Sequence, residues 1–274
     1  MNNNQSSTIE QHLKQIAEIL VLNGTLTGCP GLVHGKTGIA IFFFHYAQYT
    51  QNELFADYAL DLIGEIQKQI YANSPADYER GIAGIGIGID YLIQYNFLST
   101  DEDIFGDFDH RMYRAVMYDP CPDLGLYNGL TGYGRYWMMR LRQQSKSIQA
   151  KECLLHIILC IKERLSTIPA KEQSDVYCFL HDLEKISGFE SCTMLLKQYI
   201  EWHLQPMDIR IFFPRFKNSA VCKIAHIYQQ SMYFNDIFQI DTALKQISDL
   251  DMEKDSNDMG LLTGYTGEGM ARLM

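Results

Sequence analysis

The chain has 274 residues, with 23 Lys plus Arg against 33 Asp plus Glu and a net charge of −10 at pH 7. This acidic balance argues against nucleic acid and anionic membranes as partners, because the protein would repel both. The seven cysteines form no CxxC pair, which favours a reducing compartment and a cytoplasmic protein. The longest apolar run, residues 39–44, is too short to span a membrane.

Along the chain, the predicted elements are all helices. A polar N-terminus leads into an amphipathic segment that ends near residue 22, and an almost wholly apolar segment follows at 39–49. The next segment, 53–72, has apolar residues at helical spacing on one face. The same alternation continues in three later segments, at 148–165, 190–204 and 236–250. Thr100 and Ser147 are suitable N-caps, and no run of short alternating strands is recognisable.

Residues 31–38, GLVHGKTG, end in the Gly-Lys-Thr of a phosphate-binding loop. Such a loop also needs a glycine five residues before Gly35, and that position is Pro30. The segment upstream is predicted to be helical, whereas a phosphate-binding loop follows a strand. The spacing therefore argues against nucleotide binding.

The glycines of this stretch belong to a motif, G-x-[TA]-G-x-[GA], that occurs four times. Its copies begin with Gly35, Gly81, Gly129 and Gly264. The first three are almost evenly spaced, and the last interval holds about three periods, which implies two eroded copies. Each period contains an apolar helix followed by an amphipathic one. We therefore expect an all-α fold, an α/α toroid of six or seven helical hairpins in a single domain of residues 1–274.

Glycines at the starts of the inner helices have two interpretations, which are compatible. Glycine permits backbone angles closed to other residues and lets neighbouring helices approach closely. The unpaired N–H groups at these helix starts would also point to one common end of the ring and form a polar floor for a ligand.

Four stretches carry a resemblance to a known family: GLVHGKTGIAIFF, YERGIAGIGIGIDYLIQYNFL, GLYNGLTGYGRYW and DMGLLTGYTGEGMARL. They resemble the Gly-rich repeats of lanthionine synthetase C-like proteins, the lantibiotic cyclases, over nearly the whole chain. The resemblance implies an α/α toroid with a zinc ion at one mouth. It also implies an activity in which a cysteine thiol of a precursor peptide adds to a dehydrated Ser or Thr and closes a thioether ring.

The zinc site of this family uses two cysteines and one histidine and leaves the fourth position for the substrate. By position, the resemblance implies Cys178 in VYCFL as the first zinc cysteine and Cys222 in AVCKIAHIY as the second. The residue after Cys222 is Lys223, where the family has its zinc histidine. Zinc would therefore bind an incomplete site. The other interpretation of Cys178 and Cys222 is that they are buried thiols that pack helices.

The resemblance implies three further site residues. Asp77 matches an aspartate four residues before the glycine of the second copy, and His34 keeps the His-Gly form in the first copy. Asn128 stands where the family has its catalytic histidine, which implies impaired catalysis. Alternatively, Asp77 caps a helix start and His34 hydrogen-bonds a loop.

Three functions remain open. The first is a lanthionine cyclase-like protein that acts on a precursor peptide or beside a modification enzyme. The second is a non-catalytic scaffold of the same fold, which binds a peptide or a partner enzyme. The third comes from analogy with α/α toroids that cleave sugars, and it would use the carboxylates of Asp77, Glu79 and Glu268.

Overall fold

The computed structural model describes residues 3–100, 103–203, 258–261 and 264–273, and these residues form ten α-helices and no strand. The helices are α1 (Asn3–Gly24), α2 (Lys36–Thr50), α3 (Glu53–Gln69), α4 (Ile82–Gln94), α5 (Gly106–Met117), α6 (Leu130–Gln143), α7 (Ile148–Glu163), α8 (Ala170–Leu183), α9 (Cys192–His203) and α10 (Tyr265–Leu273). The expected all-α class is thus confirmed for the part of the chain described. The helix predicted at 236–250 lies outside it.

The helices alternate between buried and half-exposed, as the periodicity predicts. In α2, 11 of the 15 residues are buried, whereas α3 buries only 4 of its 17, on one face. The pair α6 and α7 repeats this pattern, with 11 of 14 and 6 of 16 residues buried. Each apolar helix therefore supplies the core, and the helix after it covers that core on one side.

Two predicted caps have different outcomes. The Ser147 hydroxyl accepts a hydrogen bond from the Ala150 N–H at 3.2 Å, which confirms it as the N-cap of α7. The prediction for Thr100 was wrong, because α5 begins only at Gly106 and its N-cap is Phe105. The Asp103 carboxylate accepts the Phe105 N–H at 3.1 Å, so an acidic turn closer to the helix takes the part expected of Thr100.

The described residues fall into two compact units. The first holds α1, α2, α3 and α10. Within it, α2 packs against α1 and α3, and α10 packs against α1 and α2. The last helix described is therefore in contact with the first two helices of the chain.

The second unit holds α4 to α9. The apolar helices α4, α6 and α8 contact one another in sequence, with α6 between the other two. The helices α5, α7 and α9 each pack on a member of this row, and α5 also packs on α7. Consecutive hairpins thus lie side by side in the unit, in chain order.

Each glycine motif forms the same loop before its helix. The first helical N–H after the leading glycine donates to a carbonyl seven residues earlier in every copy, at 2.8 to 3.0 Å. These bonds are Lys36 to Cys29, Ile82 to Pro75, Leu130 to Asp123 and Tyr265 to Asp258. A backbone group that the helix cannot satisfy is therefore paired by the preceding loop.

In two copies, the threonine of the motif adds a second bond of the same kind. The Thr37 hydroxyl donates to the Pro30 carbonyl at 2.6 Å, and the Thr266 hydroxyl donates to the Met259 carbonyl at 2.5 Å. In the third copy, by contrast, the Thr131 hydroxyl is buried and has no hydrogen-bond partner among the described residues.

Close approach, rather than unusual backbone angles, explains the leading glycines. A Cβ atom on Gly35 would lie 2.4 Å from the Cys29 carbonyl oxygen, and one on Gly81 would lie 2.2 Å from that of Pro75. Their φ angles of −138° and −106° are open to any residue. Of the two reasons expected from the sequence, only the absence of a side chain applies at these positions.

Candidate functional site

Neighbouring glycine loops are joined by a recurring backbone bond. In the first unit, the Leu261 N–H donates to the Val33 carbonyl at 2.6 Å. In the second unit, the Tyr78 N–H donates to the Tyr127 carbonyl at 3.0 Å. In both cases the donor stands three residues before the leading glycine of its own copy, and the acceptor stands two residues before the leading glycine of the neighbouring copy. The loops therefore lie side by side at the same end of the helices in each unit.

The third link of this kind uses side chains, because α8 has no glycine loop before it. The Leu126 N–H donates to Asp175 Oδ2 at 2.9 Å, and the Leu124 N–H donates to Glu172 Oε2 at 3.0 Å. Glu172 is only 5% exposed. Two carboxylates of α8 thus replace the carbonyl that a complete repeat would present. Sequence reasoning missed them, although two acidic residues at the start of an inner helix were the available signal.

Asp77 acts as a turn cap in this structure. Its Oδ1 accepts the Arg80 N–H at 2.7 Å, and its carbonyl accepts the Gly81 N–H at 3.1 Å. This is the alternative interpretation of Asp77, as a cap before α4. The geometry still leaves Oδ2 without a hydrogen bond to any described residue.

Asn128 has an exposed side chain, and its backbone carbonyl accepts a hydrogen bond. The Cys121 thiol donates to that carbonyl at a distance of 2.9 Å. Burial raises the pKa of Cys121, so this thiol stays protonated and acts as a donor at neutral pH. Cys121 was not predicted as a site residue, and nothing in its local sequence marks it as one.

His34 belongs to the first unit, where it is half-buried beside the loop before α10. A Cβ atom on Gly260 would lie 3.0 Å from His34 Nδ1. The Asp258 carboxylate accepts the Gly260 N–H at 2.7 Å, which holds this loop in place. His34 thus lies against the loop before α10, and a hydrogen bond from its ring to a loop stays a prediction.

Cys178 is a half-buried thiol on α8. Asp182, one turn further along the same helix, forms an ion pair with Arg135 of α6 and lies 3.4 Å from His181 Nδ1. Burial raises the pKa of the Cys178 thiol to about 12, and the positive charge of Arg135 offsets only part of this effect. Without a metal ion, Cys178 is therefore a neutral thiol at pH 7.

The described residues do not by themselves provide a zinc site. They contain no group of three His, Cys, Asp or Glu side chains able to hold a metal ion. Cys222, the second cysteine expected at the site, lies outside the described residues. The one donor that the structure does place, Cys178, does not meet the three-ligand requirement of a catalytic zinc ion.

Tyr133 is another residue that sequence reasoning missed. It lies in the first turn of α6 and is 8% exposed. The pKa of its phenol is raised to about 12, first by burial and then by the nearby Cys121 and Asp77, whereas Arg111 lowers it. Asp77, Cys121 and Tyr133 are therefore neighbours at the glycine end of the second unit, together with the Asn128 loop.

The three carboxylates that the sugar-cleaving alternative would use have different surroundings. Glu268 is buried in the first unit and accepts a hydrogen bond from Arg272 at 2.9 Å. Asp77 and Glu79 share one loop of the second unit, in which Oδ1 of Asp77 caps the turn. Among the described residues, the cap of the turn and the ion pair with Arg272 thus engage Asp77 and Glu268, and Asp77 and Glu79 lie on one loop.

Comparison with protein-family models gives no match, and comparison with curated protein sequences gives none. Among the described helices, none combines the length and apolar character needed to cross a bilayer. The residues at the glycine ends of the helices are therefore the evidence on which a function can be proposed.

Proposed function

We propose that this chain is a lanthionine synthetase C-like protein, which adds a peptide cysteine thiol to a dehydrated Ser or Thr of the same peptide. The observation that carries the proposal is the repeated loop-to-loop bond, which gathers the loops of Asp77 and Asn128 at one end of the second unit. In this proposal the hairpins close into an α/α toroid. The packing of α10 on α1 and α2 supports such a closure.

The proposed reaction needs a proton acceptor and a proton donor. The thiol gives its proton to Asp77 Oδ2 as the new bond forms between sulfur and the β-carbon of the dehydrated residue. The electron pair of the carbon–carbon double bond moves onto the carbonyl oxygen and forms an enolate. The α-carbon then takes the proton back from Asp77, so that the thioether is an isomer of the linear peptide. A bound zinc ion would activate the thiol, but the described donors do not fit one.

The test uses a short peptide with one dehydroalanine and one cysteine. Ring closure does not change the mass, so it is measured as the loss of the free thiol that iodoacetamide can label. Asp77→Asn is the decisive variant, because its amide oxygen can still accept the Arg80 N–H while the side chain no longer accepts a proton. We expect ring formation above the buffer rate in the wild type and at least a tenfold loss in Asp77→Asn at unchanged helicity.

A second candidate is a non-catalytic scaffold that binds a modified peptide or its modification enzyme. It is favoured by the protonated Cys178 thiol and by the use of Asp77 Oδ1 as a cap. Its signature is binding of the same peptide without any ring closure above the buffer rate. An absence of both binding and turnover would contradict the two candidates together.

A further inference from the structure

Tyr133 combines deep burial with an unused hydroxyl group. Its side chain belongs to a residue that is 8% exposed, and the hydroxyl makes no hydrogen bond within the described residues. The hydroxyl groups of Tyr136 and Tyr199, by contrast, donate to Asp109 at 2.7 Å and to the Gln173 carbonyl at 2.7 Å. The Tyr133 hydroxyl oxygen is not one of the side-chain atoms that are both unpaired and sealed from solvent, so it reaches the surface and can donate to a ligand there.

The packing around Gly132 places Tyr133 beside the loop of Asp77. A Cβ atom on Gly132 would lie 2.0 Å from the Leu126 carbonyl oxygen and 2.9 Å from the Tyr78 side chain. The loop of the third copy and the loop of the second copy, which carries Asp77, therefore both pack against the first turn of α6. Tyr133 is the next residue of this turn.

The neighbours of the hydroxyl are the groups that the proposed reaction uses. Asp77 and Cys121 lie close enough to raise the pKa of the Tyr133 phenol. The Cys121 thiol is directed away from Tyr133 as a donor, because it bonds the Asn128 carbonyl. Since burial keeps the phenol protonated, the Tyr133 hydroxyl has a hydrogen to donate at neutral pH.

We propose that the Tyr133 hydroxyl binds the carbonyl oxygen of the dehydrated residue in the peptide and stabilises the enolate formed when the thiol adds. This inference rests on the proposed function and assigns it a catalytic residue. The phenol keeps its proton throughout and donates a stronger hydrogen bond as negative charge develops on the oxygen. The proton of the thiol still travels through Asp77, so the overall addition remains balanced.

Tyr133→Phe tests the inference, because it removes one oxygen atom that has no hydrogen bond in the free protein. We expect an unchanged melting temperature and a loss of about 10²–10³-fold in the rate of ring formation, as for the removal of one oxyanion donor. Tyr113→Phe is the matched control. It also removes one hydroxyl, which donates to Glu152 at 3.1 Å on the exposed side of α5, and it should leave the rate unchanged.

Binding is measured in parallel with a non-reactive peptide in which serine replaces the cysteine. If the wild type binds this peptide but forms no ring, Tyr133→Phe must weaken binding by about threefold to tenfold, the effect of one hydrogen bond. Equal rates, or equal affinities in that case, would overturn the role of Tyr133 and leave the proposed function intact. If the wild type neither binds nor converts the peptides, the proposed function fails and the inference fails with it.

Discussion

The ring of Phe179 on α8 occupies the space that a side chain on Gly134 of α6 would need. A Cβ atom on Gly134 would lie 2.3 Å from that ring. Two other pairs repeat the contact: Gly86 with the ring of Tyr136, and Gly269 with the ring of Phe42. In each pair, the third glycine of one motif receives an aromatic ring from a neighbouring helix. The absence of a side chain at this glycine therefore lets the two helices lie close together.

Gly134→Ala should therefore destabilise the protein. The added methyl group overlaps the Phe179 ring, and overpacking of a dense core typically costs about 1–3 kcal/mol in the free energy of unfolding. Phe179→Leu should relieve part of this cost, so that the double variant is more stable than the sum of the two single effects predicts. Urea denaturation of the four proteins measures this coupling.

Gly64→Ala is the control for this prediction. Gly64 lies within α3, and a Cβ atom there meets no other atom within 4 Å. The substitution should stabilise the protein by about 0.5–1 kcal/mol, because glycine is a poor helix former. A comparable loss of stability at both glycines would show that space around Gly134 is not the cause.

Glu172→Ala should destabilise the second unit through the loop before α6. The variant leaves the Leu124 N–H without its acceptor, and an unsatisfied buried donor costs about 1–3 kcal/mol. Glu172→Gln should recover most of that loss, since an amide oxygen can accept the same bond. Lys171→Ala removes only the ion pair that the exposed Lys171 ammonium makes with Glu172 at 3.4 Å, so it serves as the control and should change stability by less than about 0.5 kcal/mol. Equal stabilities of the Ala and Gln variants at residue 172 would contradict the bond.

A buried arginine gives a third prediction, at the C-terminal end of α6. The Arg140 guanidinium, whose side chain is 3% exposed, donates to Asp109 at 2.8 Å and to Asp103 at 2.7 Å. Asp109→Ala would leave a buried charge half-paired and should cost about 3–5 kcal/mol. Asp103→Ala should cost much less, because water can reach the guanidinium where the half-exposed Asp103 carboxylate lies. Thermal and urea unfolding would reveal the order of the two variants, and the reverse order would contradict the assignment.

The sequence predicts the helices well because the period of apolar residues is a local property. It also locates the four glycine loops, since each copy must repeat the same close approach. The eroded copy before α8 is different. There the carboxylates of Glu172 and Asp175 replace a backbone contact, and no sequence motif predicts this replacement.

The candidate site was only partly predictable for a similar reason. Asp77 and Asn128 stand in repeat positions, so their loops could be expected at one end. Tyr133 lies in an apolar helix start, where an aromatic residue usually indicates core packing, and only its unused hydroxyl distinguishes it from Tyr136. The role of Cys222 stays a prediction, because that residue lies outside the described part of the chain.

Alkaline pH should lower stability through the buried thiol of Cys153. Burial raises the pKa of this fully buried side chain to about 12, whereas an unfolded cysteine has a pKa of about 8.5. Because the folded pKa is the higher one, the fold favours the protonated thiol. Its contribution to stability is therefore complete below about pH 8.5 and declines as the pH rises toward 12. The decline for one such group is about 1.4 kcal/mol per pH unit in this window.

Cys153→Ala separates this effect from the buried tyrosines, Tyr136 and Tyr199, whose pKa values burial also raises. The variant should be less stable than the wild type at pH 8, because it leaves a small cavity in the packing of α7. Between pH 9 and 10.5, however, its free energy of unfolding should fall less steeply than that of the wild type, since one fewer buried thiol ionises on unfolding while Cys178, Cys192 and the tyrosines still respond. Urea titrations at three pH values in this window give both slopes. Parallel slopes would show that the Cys153 thiol ionises as readily in the folded protein as in the unfolded chain.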